Sequence, residues 1–273
     1  MWPDRGVSSI FVVDLRVPSQ LALSPDGRWG AYTVRSVARG AEELWLAAAD
    51  GSVPPRKLAE GASPRWSPDS ATMYFLREGQ LCRIAESESE TLTAWDGAVS
   101  DHLPLTNAVV FLAEDTAAVE GVRIGSESLH PRRLRVLDLE NGAVRTLGQD
   151  HATAVAQRPD GGPLAVISWP TPELDPGALE PQLSLLDPET GSVHDLGRAG
   201  IVASSPVWWE AEDGWHVANL AYTEPVGGLP VFDVAIATGE HRNLTAGMKA
   251  CPVELVQAAS SAPPVDGPGR GSD

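Results

Sequence analysis

Leu21-Ala22-Leu23-Ser24-Pro25-Asp26-Gly27-Arg28-Trp29-Gly30-Ala31-Tyr32 decides the fold, because its centre is a turn signature that returns along the chain. Proline presets the first turn dihedral, aspartate hydrogen-bonds its own backbone two residues on, and glycine supplies positive φ. Ser-Pro-Asp-Gly therefore reads as a tight turn before a strand. Ser67-Pro68-Asp69-Ser70 stands before Thr72 to Leu76, Arg158-Pro159-Asp160-Gly161 before Leu164 to Ser168, and Glu212-Asp213-Gly214 before Trp215 to Tyr222. Asp26 and Asp69 lie 43 residues apart, Asp69 and Asp160 91 apart, and Asp160 and Asp213 53 apart. The middle interval is two steps of about 45, and a period in the forties with four short strands per unit marks a β-propeller blade.

A second series has the same period. Asp50-Gly51, Asn141-Gly142, Thr190-Gly191 and Thr238-Gly239 each separate two alternating apolar runs, with glycine intervals of 91, 49 and 48 residues. Such dipeptides accept the positive φ of a tight hairpin. Each unit thus has an entry turn, a variable connection, and a hairpin whose last strand ends near Leu58, Leu147, Leu196 or Leu244.

Five units cover most of the 273 residues, over about 21–61, 62–103, 104–152, 153–201 and 202–250. Residues 1–20 read as a lead segment, with Ser8 to Leu15 as one extended strand. Within the units the strands fall at Trp29 to Val34, Glu43 to Ala48, Met73 to Leu76, Leu81 to Ala85, Thr91 to Trp95, Ala108 to Leu112, Leu134 to Leu139, Leu183 to Asp187, Val217 to Tyr222 and Val231 to Ala235. Leu134 and Val136 alternate with Arg133 and Arg135, which predicts one buried face. Cys251-Pro252-Val253-Glu254-Leu255-Val256 looks like the first strand of a further unit, so residues 251–273 read as a blade remnant followed by a Gly/Pro/Ser-rich tail too poor in apolar surface to order itself. The predicted fold class is all-β: a propeller of four-stranded antiparallel blades, about five visible plus a truncated further one.

Composition agrees with that class. The 26 Gly and 23 Pro suit a chain with many turns, and 9 Trp within a 42% hydrophobic sequence supply a sizeable core. No stretch keeps a helical apolar period. A net charge of −17 repels nucleic-acid phosphates and anionic membrane surfaces, so neither is expected as a partner. Cys82 and Cys251 stand alone, with no zinc spacing and no disulfide framework. The apolar run Ile10-Phe11-Val12-Val13 is too short for a signal-peptide core, which makes a reducing, cytoplasmic setting the default.

Four insertions share one position in the repeat: Arg35 to Glu42, Glu114 to Pro131, Pro170 to Pro181 and Glu224 to Pro230 all fall between the second and third strands of their units. Loops set together on a rigid scaffold are where recognition is built, although any one of them taken singly reads first as a tolerated surface insertion.

Residues of catalytic type are present without a catalytic pattern. No Gly-x-Ser-x-Gly elbow occurs; Gly6-Val7-Ser8-Ser9-Ile10 and Gly61-Ala62-Ser63-Pro64-Arg65 lack the second glycine. His102, His130, His151, His194, His216 and His241 are scattered singly and read as surface or strand residues. Asp26, Asp69, Asp160 and Asp213 recur because aspartate caps its own turn. Glu86, Glu88 and Glu90 read as a solvated edge strand rather than a calcium loop, and Gly161-Gly162 and Gly227-Gly228 lack the setting of a phosphate loop. Trp208-Trp209 offers an aromatic surface or, by preference, core packing. The expectation is no catalytic, cofactor-binding or metal-ligating residue and no cofactor.

The opening quoted above, Ser63-Pro64-Arg65-Trp66-Ser67-Pro68-Asp69 and Arg242-Asn243-Leu244-Thr245 resemble blade motifs of acylaminoacyl-peptidase-type members of the prolyl oligopeptidase family, over about residues 8–258. The same blades are similar to those of TolB-like, WD40-like propellers. The first resemblance implies a propeller that screens access to a C-terminal α/β-hydrolase domain with a Ser-Asp-His triad. No stretch of this chain matches that domain, so no triad residue carries over. The chain then reads as a truncated or frameshifted frame, or as a propeller alone, with the hydrolase domain and peptides as partners. The second resemblance implies a free-standing interaction scaffold.

Overall fold

The computed structural model describes residues 15–36, 40–85, 88–115, 129–224, 228–248 and 252–256. The expected strand at Ser8 to Leu15, Glu86, Cys251 and the tail after 256 lie outside these residues, apart from Leu15 itself. The fold is all-β, built of five four-stranded antiparallel sheets in which the strands neighbour one another in chain order.

Two compact units divide the chain after Gln149. The first holds three sheets. Sheet one is β1 (Arg16–Leu23), β2 (Trp29–Ser36), β3 (Glu42–Ala48) and β4 (Arg56–Glu60). Sheet two is β5 (Ala62–Trp66), β6 (Thr72–Arg77), β7 (Gln80–Ala85) and β8 (Glu88–Thr91). Sheet three is β9 (Val99–Pro104), β10 (Ala108–Glu114), β11 (Arg132–Asp138) and β12 (Val144–Leu147). The second unit holds sheet four, with β13 (His151–Gln157), β14 (Leu164–Trp169), β15 (Gln182–Leu186) and β16 (Val193–Arg198), and sheet five, with β17 (Ile201–Ala211), β18 (Gly214–Tyr222), β19 (Val231–Ala235) and β20 (His241–Asn243). A four-residue helix, α1 (Leu174–Gly177), is the one helix among the described residues.

The entry turns join first to second strands. Asp26 Oδ1 accepts the Ser24 hydroxyl at 2.6 Å and the Arg28 N–H at 3.1 Å, while Ser24 Oγ accepts the Trp29 N–H at 2.9 Å. Asp69 repeats this with Ser67 and the Ala71 N–H, and Asp160 accepts the Gly162 N–H at 3.0 Å. The hairpin glycines 51, 142, 191 and 239 join third to fourth strands with φ of 71, 73, 73 and 70°.

Neighbouring sheets within a unit pack face to face, and the strand period of two decides which side chain goes where. Met73 and Phe75 point from β6 toward Ala31, Leu44 and Leu46 of sheet one. Tyr74, between them, points the other way, toward Val99, Val109 and Phe111 of sheet three. In the second unit Ile167, Leu183 and Leu185 meet Trp208, Val217 and Val234. Each large side chain buried this way contributes about 1.5–3 kcal/mol.

Three sequence readings shift. The first strand of sheet one begins at Arg16, ahead of the repeat boundary at 21, and Val99 to Leu103 belong to sheet three rather than to the second unit of the repeat. The strand expected at Thr91 to Trp95 lies earlier, at Glu88–Thr91, because Gln80 Oε1 accepts the Thr93 hydroxyl and the Trp95 N–H, both at 2.8 Å, and draws that segment off the ladder. β11 is buried on both faces at its centre: Arg135 is 3% exposed, its guanidinium lying 4.3 Å from the Trp95 ring centre and paired with Asp115.

Candidate functional site

Asp213 departs from the other turn aspartates. Its Oδ1 lies 2.9 Å from Nε2 of His216, three residues on in β18. The other ring nitrogen, Nδ1, lies 2.9 Å from Oδ2 of Asp233 on β19. Asp233 is fully buried, and its remaining demand is met by the Trp209 indole N–H at 2.8 Å and by Arg242 Nε at 2.7 Å. Trp209 comes from β17 and Arg242 from β20, so all four strands of sheet five and its entry turn contribute.

Burial of the His216 ring opposes its charge, yet the carboxylates of Asp213 and Asp233 more than offset this and hold its pKa above the ordinary imidazole value. The His216 bond in turn holds the Asp213 carboxyl below the usual range. With the ring protonated, two carboxylates, one imidazolium and one guanidinium balance to zero net charge. Both ring nitrogens are occupied and the ring is 1% exposed, so His216 has no lone pair to offer a substrate. This centre is a polar clasp within sheet five. Sequence reading missed it, taking Asp213 as another turn cap and His216 as a lone strand histidine.

The remaining candidates are dispersed. Trp208 is 2% exposed within the core. Glu88 and Glu90 lie exposed on β8, with Glu90 2.9 Å from Arg83. His241 Nε2 bonds the Leu196 carbonyl at 2.7 Å, and His151 stacks on Trp169. His102 is fully buried, with neither ring nitrogen partnered by a protein atom. No group of three or more metal-binding side chains occurs among the described residues. Among the described residues no helix is long and apolar enough to cross a membrane.

The four insertions do fall between second and third strands of their sheets. The one after β10 is pinned at its base by Asp115, which takes Arg133 at 2.6 Å and Arg135; residues 116–128 lie outside those described. The one after β14 folds back on its own unit: the Val202 N–H donates to the Ala178 carbonyl at 2.7 Å and the Ala199 N–H to Pro181 at 2.9 Å. Its tip carries Leu174 at 68% exposure and Leu179 at 39%.

No family model matches the chain, and no curated protein matches it. Solved structures do. TolB from Acinetobacter baumannii aligns with a TM-score of 0.57 at 17% identity, over 84% of this chain and 54% of TolB. The acylaminoacyl peptidase of Pyrococcus horikoshii aligns with a TM-score of 0.65 at 10% identity, over 86% of this chain and 40% of the peptidase. The β-propeller domain of the Trilobed protease from Pyrococcus furiosus aligns with a TM-score of 0.53 at 14% identity, over 83% of this chain and 68% of that domain. The chain thus spans about half of TolB and less than half of the peptidase. At these identities the likeness is one of fold, and the fold is that of the β-propellers.

Proposed function

We propose that this chain is a non-catalytic propeller that selects and gates peptides for an α/β-hydrolase domain of the prolyl oligopeptidase family. The observation that carries this reading is the alignment of 86% of the chain with the Pyrococcus horikoshii acylaminoacyl peptidase, at a higher TM-score than with TolB. The blade motifs at Ser24 to Gly27 and Ser63 to Asp69 support it, as do the insertions set at the same connection in four of the five sheets. Selection acts through loop contacts and size exclusion, with hydrolysis left to the partner domain.

The test is made on the purified chain, alone and with a propeller-deleted hydrolase domain of this family from the same genome. Alone, the chain is expected to hydrolyse no acylaminoacyl p-nitroanilide and to take no fluorophosphonate label. Added in trans, it is expected to suppress cleavage of a folded protein while sparing a short peptide. Active-site labelling of the chain overturns the non-catalytic reading, and an unchanged ratio of protein to peptide cleavage overturns gating.

The TolB alignment, over 84% of this chain, favours a second reading as a free-standing interaction scaffold. Capture of a specific protein partner by a chain with no effect on any hydrolase domain supports that reading instead.

A further inference from the structure

The first unit contains an open cleft of about 300 Å³ between sheets one and two, lined by Trp29, Leu46 and Leu58 on one side and by Trp66, Ala71 and Met73 on the other, with Arg56 and Ser70 among its polar groups. It continues the buried core of Leu46 and Met73 outward through a half-buried ring of Trp29, Leu58, Trp66 and Ile84.

The second unit repeats this junction and fills it. Trp66 donates its indole N–H to the carbonyl of Ala22, and Trp208 donates to Ala156, each at 3.1 Å. Ala22 pairs with Ala31 as Ala156 pairs with Ala165, and Trp66 pairs with Met73 as Trp208 pairs with Val217. Counting back two residues from Met73 and from Val217 makes Ala71 the equivalent of Trp215. In the second unit the Trp215 indole stands edge-on to Trp208, with ring centres 6.2 Å apart and planes at 82°. Arg158, the equivalent of Ser24, caps both rings, at 5.5 Å from Trp215 and 5.9 Å from Trp208. Where the second unit inserts an aromatic ring and a guanidinium, the first has a methyl group and a hydroxymethyl. Trp29 stands in the place of Pro163, adding a second aromatic wall.

Charge names the rest of the occupant. Arg56 is exposed at the cleft and has no acidic partner among the described residues, although the protein carries a net charge of −17. Its fork of donors suits a carboxylate, which it can hold through two bonds. A volume near the lower end of ligand pockets suits one ring and a short acid arm.

We infer that this cleft binds a small aromatic carboxylic acid, its ring edge-on to Trp66 as Trp215 is to Trp208 and its carboxylate on Arg56. The inference does not rest on the peptidase reading.

The test is titration calorimetry of the full chain with indole-3-propionate, indole-3-propionamide and the peptide Gly-Gly-Trp. Saturable binding of the acid at one site is expected, with the amide at least tenfold weaker. Arg56→Gln, at an exposed position, is expected to weaken the acid about tenfold, the loss of a charge-assisted bidentate contact. Ala71→Trp, which copies the second unit, is expected to abolish binding with the circular dichroism spectrum unchanged. Equal binding of acid and amide, full affinity in Arg56→Gln, tighter binding of Gly-Gly-Trp than of the free acid, or no binding of the acid would each overturn the assignment.

Discussion

His216 Nδ1 and Asp233 Oδ2 lie 2.9 Å apart inside sheet five, and neither residue is more than 1% exposed. The groups facing the ring are Asp213 from the turn before β18, Asp233 from β19 and Arg242 from β20. Because the folded pKa of His216 is raised, its contribution is complete below the unfolded imidazole value of about 6.5 and is lost as pH rises through the folded value. Asp213 works oppositely: its depressed pKa gives a contribution present above the unfolded carboxylate value and lost as pH falls through the folded one. Thermal unfolding of the native chain and of His216→Phe, compared between pH 5.5 and 8.5, should show a destabilisation by the substitution that shrinks as pH rises. Asp233→Ala should cost about 3–5 kcal/mol, since it leaves the buried His216 ring and the Trp209 indole without their acceptor and frees the half-exposed Arg242 guanidinium. A pH-independent difference for His216→Phe would show that the ring is neutral in the clasp.

His102 has the opposite sign. Burial, followed by the nearby Arg65 guanidinium, lowers its pKa to about 3, so the ring stays neutral in the fold. Stability attached to it is present above the unfolded value of about 6.5 and falls as the unfolded chain gains a proton, by up to about 1.4 kcal/mol per pH unit down to the folded pKa. Urea unfolding of the native chain between pH 7 and pH 4 should therefore show a loss that His102→Leu removes. An equal acid loss in both proteins would assign it to the carboxylates.

The Trp66 and Trp208 indoles tie successive sheets within each unit, and they differ in burial. Trp208 is 2% exposed, whereas Trp66 borders the cleft. Trp66→Phe removes one hydrogen bond to Ala22 and should cost about 1 kcal/mol. Trp208→Ala removes the bond and opens a core cavity, at about 3–5 kcal/mol. Chemical denaturation midpoints in that order support the latch; a Trp66→Phe midpoint equal to that of the native chain would mean that water replaces the indole at no cost.

The turns and hairpins were legible in the sequence because they depend on local dihedral chemistry, carried by Asp26, Asp69, Asp160 and the hairpin glycines. The first strand of each sheet was not. Gln20, Ser63, Val202 and Ser205 adopt φ of 53 to 56°, and the ladders of β1, β5 and β17 shift register at these points. A bulge breaks the period of two on which strand reading depends. The His216 clasp was hidden for another reason. Its partners are 3, 17 and 26 residues away and meet only through the register that sets Ala218 opposite Asp233 and Asp233 opposite Arg242. Asp213 kept the turn signature while its carboxylate took a different partner. The open cleft is likewise invisible until Ala71 is matched to Trp215 by pairing.

Gly61 and Gly200 join consecutive sheets, and both junctions need glycine. Gly61 has φ of 140°, and a Cβ there would lie 2.6 Å from the Phe75 ring and 2.7 Å from the Leu76 carbonyl oxygen. Gly200 has φ of 90°, and its Cβ would lie 2.7 Å from that of Ala221. Gly27, in an entry turn, shares the positive φ but has open space around it. Alanine at 27 should therefore cost only the left-handed backbone penalty, about 1–2 kcal/mol. Alanine at 61 or 200 adds overpacking of about 1–3 kcal/mol against backbone or core atoms that cannot move aside. The three variants separate these contributions by urea denaturation: Gly61→Ala and Gly200→Ala should unfold at clearly lower urea than Gly27→Ala. Three equal midpoints would mean that the junctions relax around the methyl group and that conformation alone selects glycine there.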